Sequence, residues 1–194
     1  MKLTQNPIFV EAAKSLKLTG LKQNFGHDKR GAMGNVAVDG KKIFSLEDDG
    51  WGGGTQITFT KDGEELMSSF ADKINLKQLI LDDSKQSQYS LYDSIDEIKS
   101  QDIADTIFDY LVNRNQIEKE LKKIEKNKDK KVFMGSPLNY TSMGWKNGLT
   151  LSKLVTFKDG LKALQETYNE LKSEMTEDQQ VFNTEYLESL GVEL

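Results

Sequence analysis

The feature that most constrains this chain is the dipeptide Asp39-Gly40, set between "GAMGNVAV" and "KIFSLED". A two-residue connection with positive φ at both positions is the shortest way to reverse a strand, and Asp-Gly is among the few pairs that tolerate it. The pair therefore predicts an antiparallel hairpin. Counting outward from it, Val38 faces Lys41, Val36 faces Ile43 and Met33 faces Leu46. One face then carries Val36, Val38 and Ile43, the other Met33, Phe44 and Leu46, so both faces are expected to be covered. Upstream, "KLTGLKQNF" from Leu16 reads as another strand. Downstream, "TQITF" reads as a fourth, with Ile57 and Phe59 on one side.

After Asp62-Gly63 the period becomes helical. "EELMSSFADKINLKQLIL" reads as one helix, with Leu66, Phe70 and Ile74 four apart, followed by Leu76, Leu79 and Ile80. Ser94 with Glu97 fits a capping box. From Ile103 through Ile107, Leu111, Ile117 and Leu121 to Ile124, apolar residues recur along one stripe, which predicts a long helix starting near Ser94 or at a break around Ser100–Asp102. "KVFMG" reads as a short strand, "SPLNYTSMGWKNG" as a loop or wide hairpin, and "LTLSKLVTF" as a strand. Gly160 opens another amphipathic helix, and Asn183 or Thr184 caps a last short one that stops at Gly191. "IFVEAAKSL" near the start fits a helix or a strand.

The expected fold is α+β: an N-terminal antiparallel sheet packed against a long amphipathic helix, with a C-terminal helical part. Its 194 residues are the size of one domain, with residues 150–194 as a candidate helical subdomain.

Composition narrows the chemistry. The chain has no cysteine, which removes thiolate nucleophiles, disulfides and thiolate metal sites. A net charge of -5 provides no general footprint for nucleic acid. No run approaches the roughly 20 apolar residues of a membrane helix, and the first residues lack a signal-type apolar core. A cytoplasmic protein is the expectation. No G-x-S-x-G elbow is present, and any Ser–His–Asp arrangement would depend on His27, the single histidine.

The candidate binding residues fall in three stretches. Gly52, Gly53 and Gly54, with Trp51 beside them and Thr55 after, could present main-chain N–H groups as an anion nest, with the indole stacking on a ligand. The same glycines equally suit a hairpin loop that needs positive φ. Lys29 and Arg30, in the glycine-flanked "FGHDKRGAMG", are candidate phosphate or carboxylate contacts. Tyr140, Trp145 and Lys146 combine aromatic faces with a cation, as a nucleotide site, a packed hairpin tip or a protein interface would. Glu47, Asp48 and Asp49 lack the alternate spacing of a calcium loop, and no metal or cofactor is expected. The lysines between 119 and 131 alternate with Glu118, Glu120, Glu125 and Asp129, the pattern of a solvated helix face.

The residues Asp39, Gly40, Lys41 and Lys42, followed by Asp49, Gly50, Gly52 and Gly53, resemble a group of short tailed-phage and prophage proteins. That group shares a "DGKK" hairpin and an Asp-Gly-x-Gly-Gly loop, and its resemblance continues more weakly in "KKVF" and "VFNTEYL". No general activity is assigned to that group. The resemblance implies a phage or mobile-element origin, not a mechanism; small nonstructural phage proteins often bind a host factor or a host immune signal, so the expectation is a non-catalytic binding protein that counters host defence in the host cytoplasm. Sequestration of a small nucleotide immune signal is the leading expectation. An inhibitor that caps a host defence protein is the alternative, and a small hydrolase using His27 is the third. A homo-oligomer fits the first, since one small loop encloses little of a ligand.

Overall fold

The computed structural model describes residues 3–25, 31–49, 55–86, 90–177 and 179–194. They show an α+β fold that divides into two compact units, Met1–Arg114 and Asn115–Leu194. The boundary falls inside the long helix, and residues 150–194 belong to the second unit.

The first unit is built on a four-stranded antiparallel sheet in the order β1 (Leu16–Phe25), β2 (Gly31–Val38), β3 (Lys41–Asp48), β4 (Gln56–Phe59). Asp39 and Gly40 form the expected turn, with φ of 48° and 82°, and Val38 pairs with Lys41. Beyond that the expected register is off by one residue. A bulge at Ile43 makes Val36 face Phe44, Gly34 face Leu46 and Met33 face Glu47. The consequence is physical: because side chains alternate with period two, one extra residue moves Phe44 and Leu46 to the face of Val36 and Val38. All four are buried there. The other face carries Asn35, Ser45 and Glu47 and is half-exposed or exposed, so the expectation of two covered faces is corrected to one. Ile43 stays buried, and its carbonyl accepts hydrogen bonds from Thr60 N at 2.9 Å and Thr60 Oγ1 at 3.3 Å.

Helix α1 (Pro7–Ala12) resolves the ambiguous N-terminal stretch. Asn6 caps it by accepting from Ile8 N at 3.0 Å and Phe9 N at 3.3 Å, and Pro7 suits its first turn. The single helix expected over residues 64–81 is instead two, α2 (Gly63–Lys73) and α3 (Leu76–Lys85). Asn75 separates them in the left-handed conformation with φ of 53°, one of the few non-glycine residues suited to it. Their apolar stripes still meet one core, through Met67, Phe70, Leu76 and Ile80.

Helix α4 (Ser100–Asn127) starts at the later of the two predicted positions. Asp102 Oδ2 accepts from Lys99 N at 2.7 Å, while Glu97 ends a short 3₁₀ turn and accepts from Asp93 N at 2.8 Å. Its first half packs Ile103, Ile107, Phe108 and Leu111 into the sheet's core. Gly34 permits the close approach, since a Cβ there would lie 2.9 Å from Leu18 Cδ1 and 3.2 Å from Phe108 Cε2. At the end of this unit, the Arg114 guanidinium donates to Ala13 O at 2.9 Å and Leu16 O at 3.1 Å.

The second unit holds a three-stranded sheet in the order β6 (Asn139–Gly144), β5 (Lys131–Ser136), β7 (Gln180–Val181). "NYTSMG" is thus a strand in a tight hairpin. The stretch read as a strand around Leu151 is a one-turn helix, α5 (Leu151–Leu154). It is held as a helix from its N-terminal end: Asp129 accepts from Ser152 N at 2.8 Å and Ser152 Oγ at 2.9 Å, and Thr150 Oγ1 accepts from Lys153 N at 3.4 Å. Helix α6 (Gly160–Ser173) starts where the sequence places it, and α7 (Thr184–Ser189) follows Asn183 and ends before Gly191 as expected. Val132, Met134, Leu151, Leu164 and Leu187 form the core.

Asn183 precedes α7 but its side chain turns inward. Buried at 6% exposure, it accepts from Phe133 N at 3.3 Å and donates to Lys128 O at 3.1 Å and Lys131 O at 2.9 Å. It thereby ties the end of α4 to β5. Asp129 also accepts from Tyr186 Oη at 2.6 Å. Partial burial pushes its carboxyl up, but the Tyr186 hydroxyl and the Ser152 donors outweigh this and hold it below the usual carboxylate range.

Candidate functional site

The glycine stretch joins two adjacent antiparallel strands, whose last pairs are Leu46 with Ile57 and Glu47 with Gln56. Trp51, Gly52, Gly53 and Gly54 lie outside the described residues, as do His27, Lys29 and Arg30. Thr55 and the carboxylates before the loop are described, and they show what the loop's base is made of. Asp48 closes β3, and Asp102, Asp105 and Asp109 follow one another along α4 at helical spacing.

Thr55 and Asp105 share a hydrogen bond. Asp105 is half-buried. Burial raises its carboxyl above the usual value, and the nearby charge of Asp109 adds to this. The Thr55 hydroxyl works in the other direction, while Asp102 and Asp48 raise it further. Asp109 is also raised, first by burial among its crowded surroundings and then by Asp48. It keeps an exposed edge to solvent, so its crowding counts for less than that of Asp105. Tyr92 closes the row. Burial, then its hydrogen bond to Asp102, push its hydroxyl up to about 12.

Among the described residues, Asp48, Asp102, Asp105 and Asp109 thus gather carboxylates where β3 ends and β4 begins. Sequence reasoning missed Asp102, Asp105, Asp109 and Tyr92. The acidic spacing on α4 was visible, but nothing in one sequence assigns that face to the end of β3.

The other candidates belong to the second unit. The Tyr140 hydroxyl donates to Glu120 Oε2 at 3.1 Å, and its ring packs edge-on against Phe133 and Phe182 at 5.8 Å and 6.2 Å. Trp145 is half-buried against the second core. Lys146 is exposed at the start of a 3₁₀ turn that bends sharply at Asn147, where φ is 61°. Thr55 and the Tyr140–Trp145–Lys146 group therefore sit in different units.

The described hollows are open and shallow. One of about 180 Å³ lies on the polar face of the first sheet, lined by Asn35, Ser45, Glu47, Gln56 and Thr58 among others. A second, of about 410 Å³, lies between α1 and α2 with Ala12, Leu66, Phe70 and Ile74 at its base. Among the described residues no group of three or more His, Asp or Glu side chains could hold a metal ion. No described helix is long and apolar enough to cross a membrane.

Comparison with protein-family models, with characterised proteins and with solved structures finds no match for this chain.

Proposed function

We propose that this chain is a non-catalytic binding protein of phage type that caps a host protein, and that its acidic edge receives a basic group of that partner. The observation that carries this reading is the placement of Asp105 and Asp109 on α4 beside Asp48 at the end of β3, where burial first and like charge second raise both carboxyls. An incoming cation relieves that repulsion, whereas a phosphate adds to it. The host-directed role comes from the resemblance to phage proteins. Nucleotide sequestration is the second reading, favoured by the run of glycines between Trp51 and Thr55.

Parallel melting experiments separate the two. An arginine-rich peptide is expected to raise the melting temperature of the first unit by mass action, with the effect lost in D105N/D109N. Cyclic dinucleotides and ADP-ribose derivatives are expected to leave the melt unchanged. Stabilisation by a nucleotide, with none by the peptide, would overturn the reading in favour of sequestration.

A further inference from the structure

Sheet edges are liabilities, because a row of unused N–H and C=O groups templates another strand. Three of the four described edges here are blunted. β1 carries Lys17 and Lys22 and is distorted between Thr19 and Lys22, with Gly20 at φ of 63°. β4 has four residues and β7 has two. The fourth edge, β6, is different. It is six residues long, contains no charge and no proline, and pairs with β5 without a register shift. Among the described residues no strand lies on its far side. Thr141, Ser142, Met143 and Gly144 are all exposed.

We infer that β6 pairs with β6 of a second copy, antiparallel, about a two-fold axis through Ser142. Counting from the two-residue turn at Pro137–Leu138, alternate residues Tyr140, Ser142 and Gly144 direct their main-chain groups away from β5. A two-fold axis perpendicular to a continuous sheet keeps each side chain on its own face, so only residues of like parity can oppose each other. Centred on Ser142, the register sets Thr141 against Met143 and Tyr140 against Gly144. No charged residue of β6 itself meets its like, while the two Lys131 ammonium groups, each 3.3 Å from its own Ser142 Oγ, come to the same face near the axis, a repulsion that salt screens. The same patch thus serves both copies, as a closed dimer requires. A hydrogen-bonded strip one strand wide is smaller than the interface of a permanent dimer, so association is concentration-dependent.

Sedimentation equilibrium of the full chain tests this. The average mass is expected to climb from 22.0 kDa towards twice that value with concentration. S142K places two lysines together on the axis and is expected to hold the protein monomeric. T141K/M143E places opposite charges across the axis and is expected to keep association, whereas T141K/M143K is expected to abolish it. Because the chain has no cysteine, S142C supplies a single thiol. Opposed residues of an antiparallel pair are about 4.5–5.5 Å apart at Cα, within disulfide reach. S142C is expected to cross-link under mild oxidation while S94C, at another exposed serine, does not. A wild-type mass fixed at 22.0 kDa up to about 1 mM, or S142K associating as wild type does, would overturn the proposal. Loss of association in T141K/M143E, with S142C failing to cross-link, would do the same.

Discussion

Asn183→Ala removes the side chain that fastens β5 to the end of α4, and its cost can be worked from the contacts. The amide makes three hydrogen bonds, at 2.9, 3.1 and 3.3 Å, all to main-chain groups between Lys128 and Phe133. A typical intramolecular hydrogen bond contributes about 1 kcal/mol net, and a buried donor left without a partner costs about 1–3 kcal/mol. The Phe133 N–H becomes such a donor. The two carbonyls each keep a lone pair for solvent or neighbours and add less. The sum is about 3–4 kcal/mol, and for a domain of this size each kcal/mol lowers the melting temperature by about 4–8 °C. The second unit is therefore expected to melt at least about 12 °C lower. Peptide-resolved hydrogen exchange is expected to show lost protection over residues 128–134, with the first unit unchanged. Asn183→Asp distinguishes this account from simple loss of volume. It keeps the acceptor for Phe133 N but turns an oxygen towards two carbonyls, so it is expected to be at least as damaging near neutral pH and to recover partly in acid, where a protonated carboxyl can donate again. A melting point for Asn183→Ala within about 2 °C of wild type, less than half a kcal/mol at this size, would refute the reasoning.

Asp105 provides a pH signature of defined sign. Its folded carboxyl is raised, so between the unfolded and folded values the native state binds more protons and stability falls as pH rises. Above the folded value the full penalty applies. Asp105→Asn keeps an oxygen for Thr55 and removes the charge, so it is expected to raise the melting temperature at neutral pH, with the gain shrinking as the pH falls towards 4. A gain that is the same at both pH values would contradict an origin in the buried charge. Gly63→Ala is expected to destabilise the first unit by about 2 kcal/mol, read in thermal or urea melts. Its Cβ would lie 1.8 Å from the Ile43 carbonyl oxygen that also accepts from Thr60, a collision that outweighs the better helix propensity of alanine. Unchanged stability would mean that α2 can shift freely at its start.

What was legible in the sequence was what local chemistry decides. Asp39-Gly40 marked the hairpin, the apolar stripe from Ile103 marked α4, and Gly160 and Gly191 marked the start of α6 and the end of α7. The errors arose where a distant partner decides. A bulge at Ile43 cannot be read from the alternation of β3, because Ile43 and Phe44 are both apolar and either could face the core. The carbonyl of Ile43, turned to meet Thr60 and the start of α2, selects the bulged form. Asn75 could have continued a helix as well as broken one. Around Leu151, the run "LTLSKLV" has strand composition, but Asp129, more than twenty residues earlier, supplies acceptors to Ser152 that only a helical start can use.

The candidate site follows the same division. The glycines announced a loop, and their neighbours Asp48 and Asp49 were visible as local charge. What the sequence could not show was that α4 lays Asp105 and Asp109 beside Asp48 at the end of β3, which on the reading proposed above favours a cation over an anion there. An amide nest in isolation favours an anion. An anion arriving beside Asp48, Asp105 and Asp109 must overcome the field of those carboxylates, which is strong at short range in a partly desolvated setting. The choice between a basic partner and a nucleotide therefore turns on Asp105 and Asp109 rather than on the glycines, and neutralising those two carboxylates is the perturbation to which the two readings respond in opposite directions.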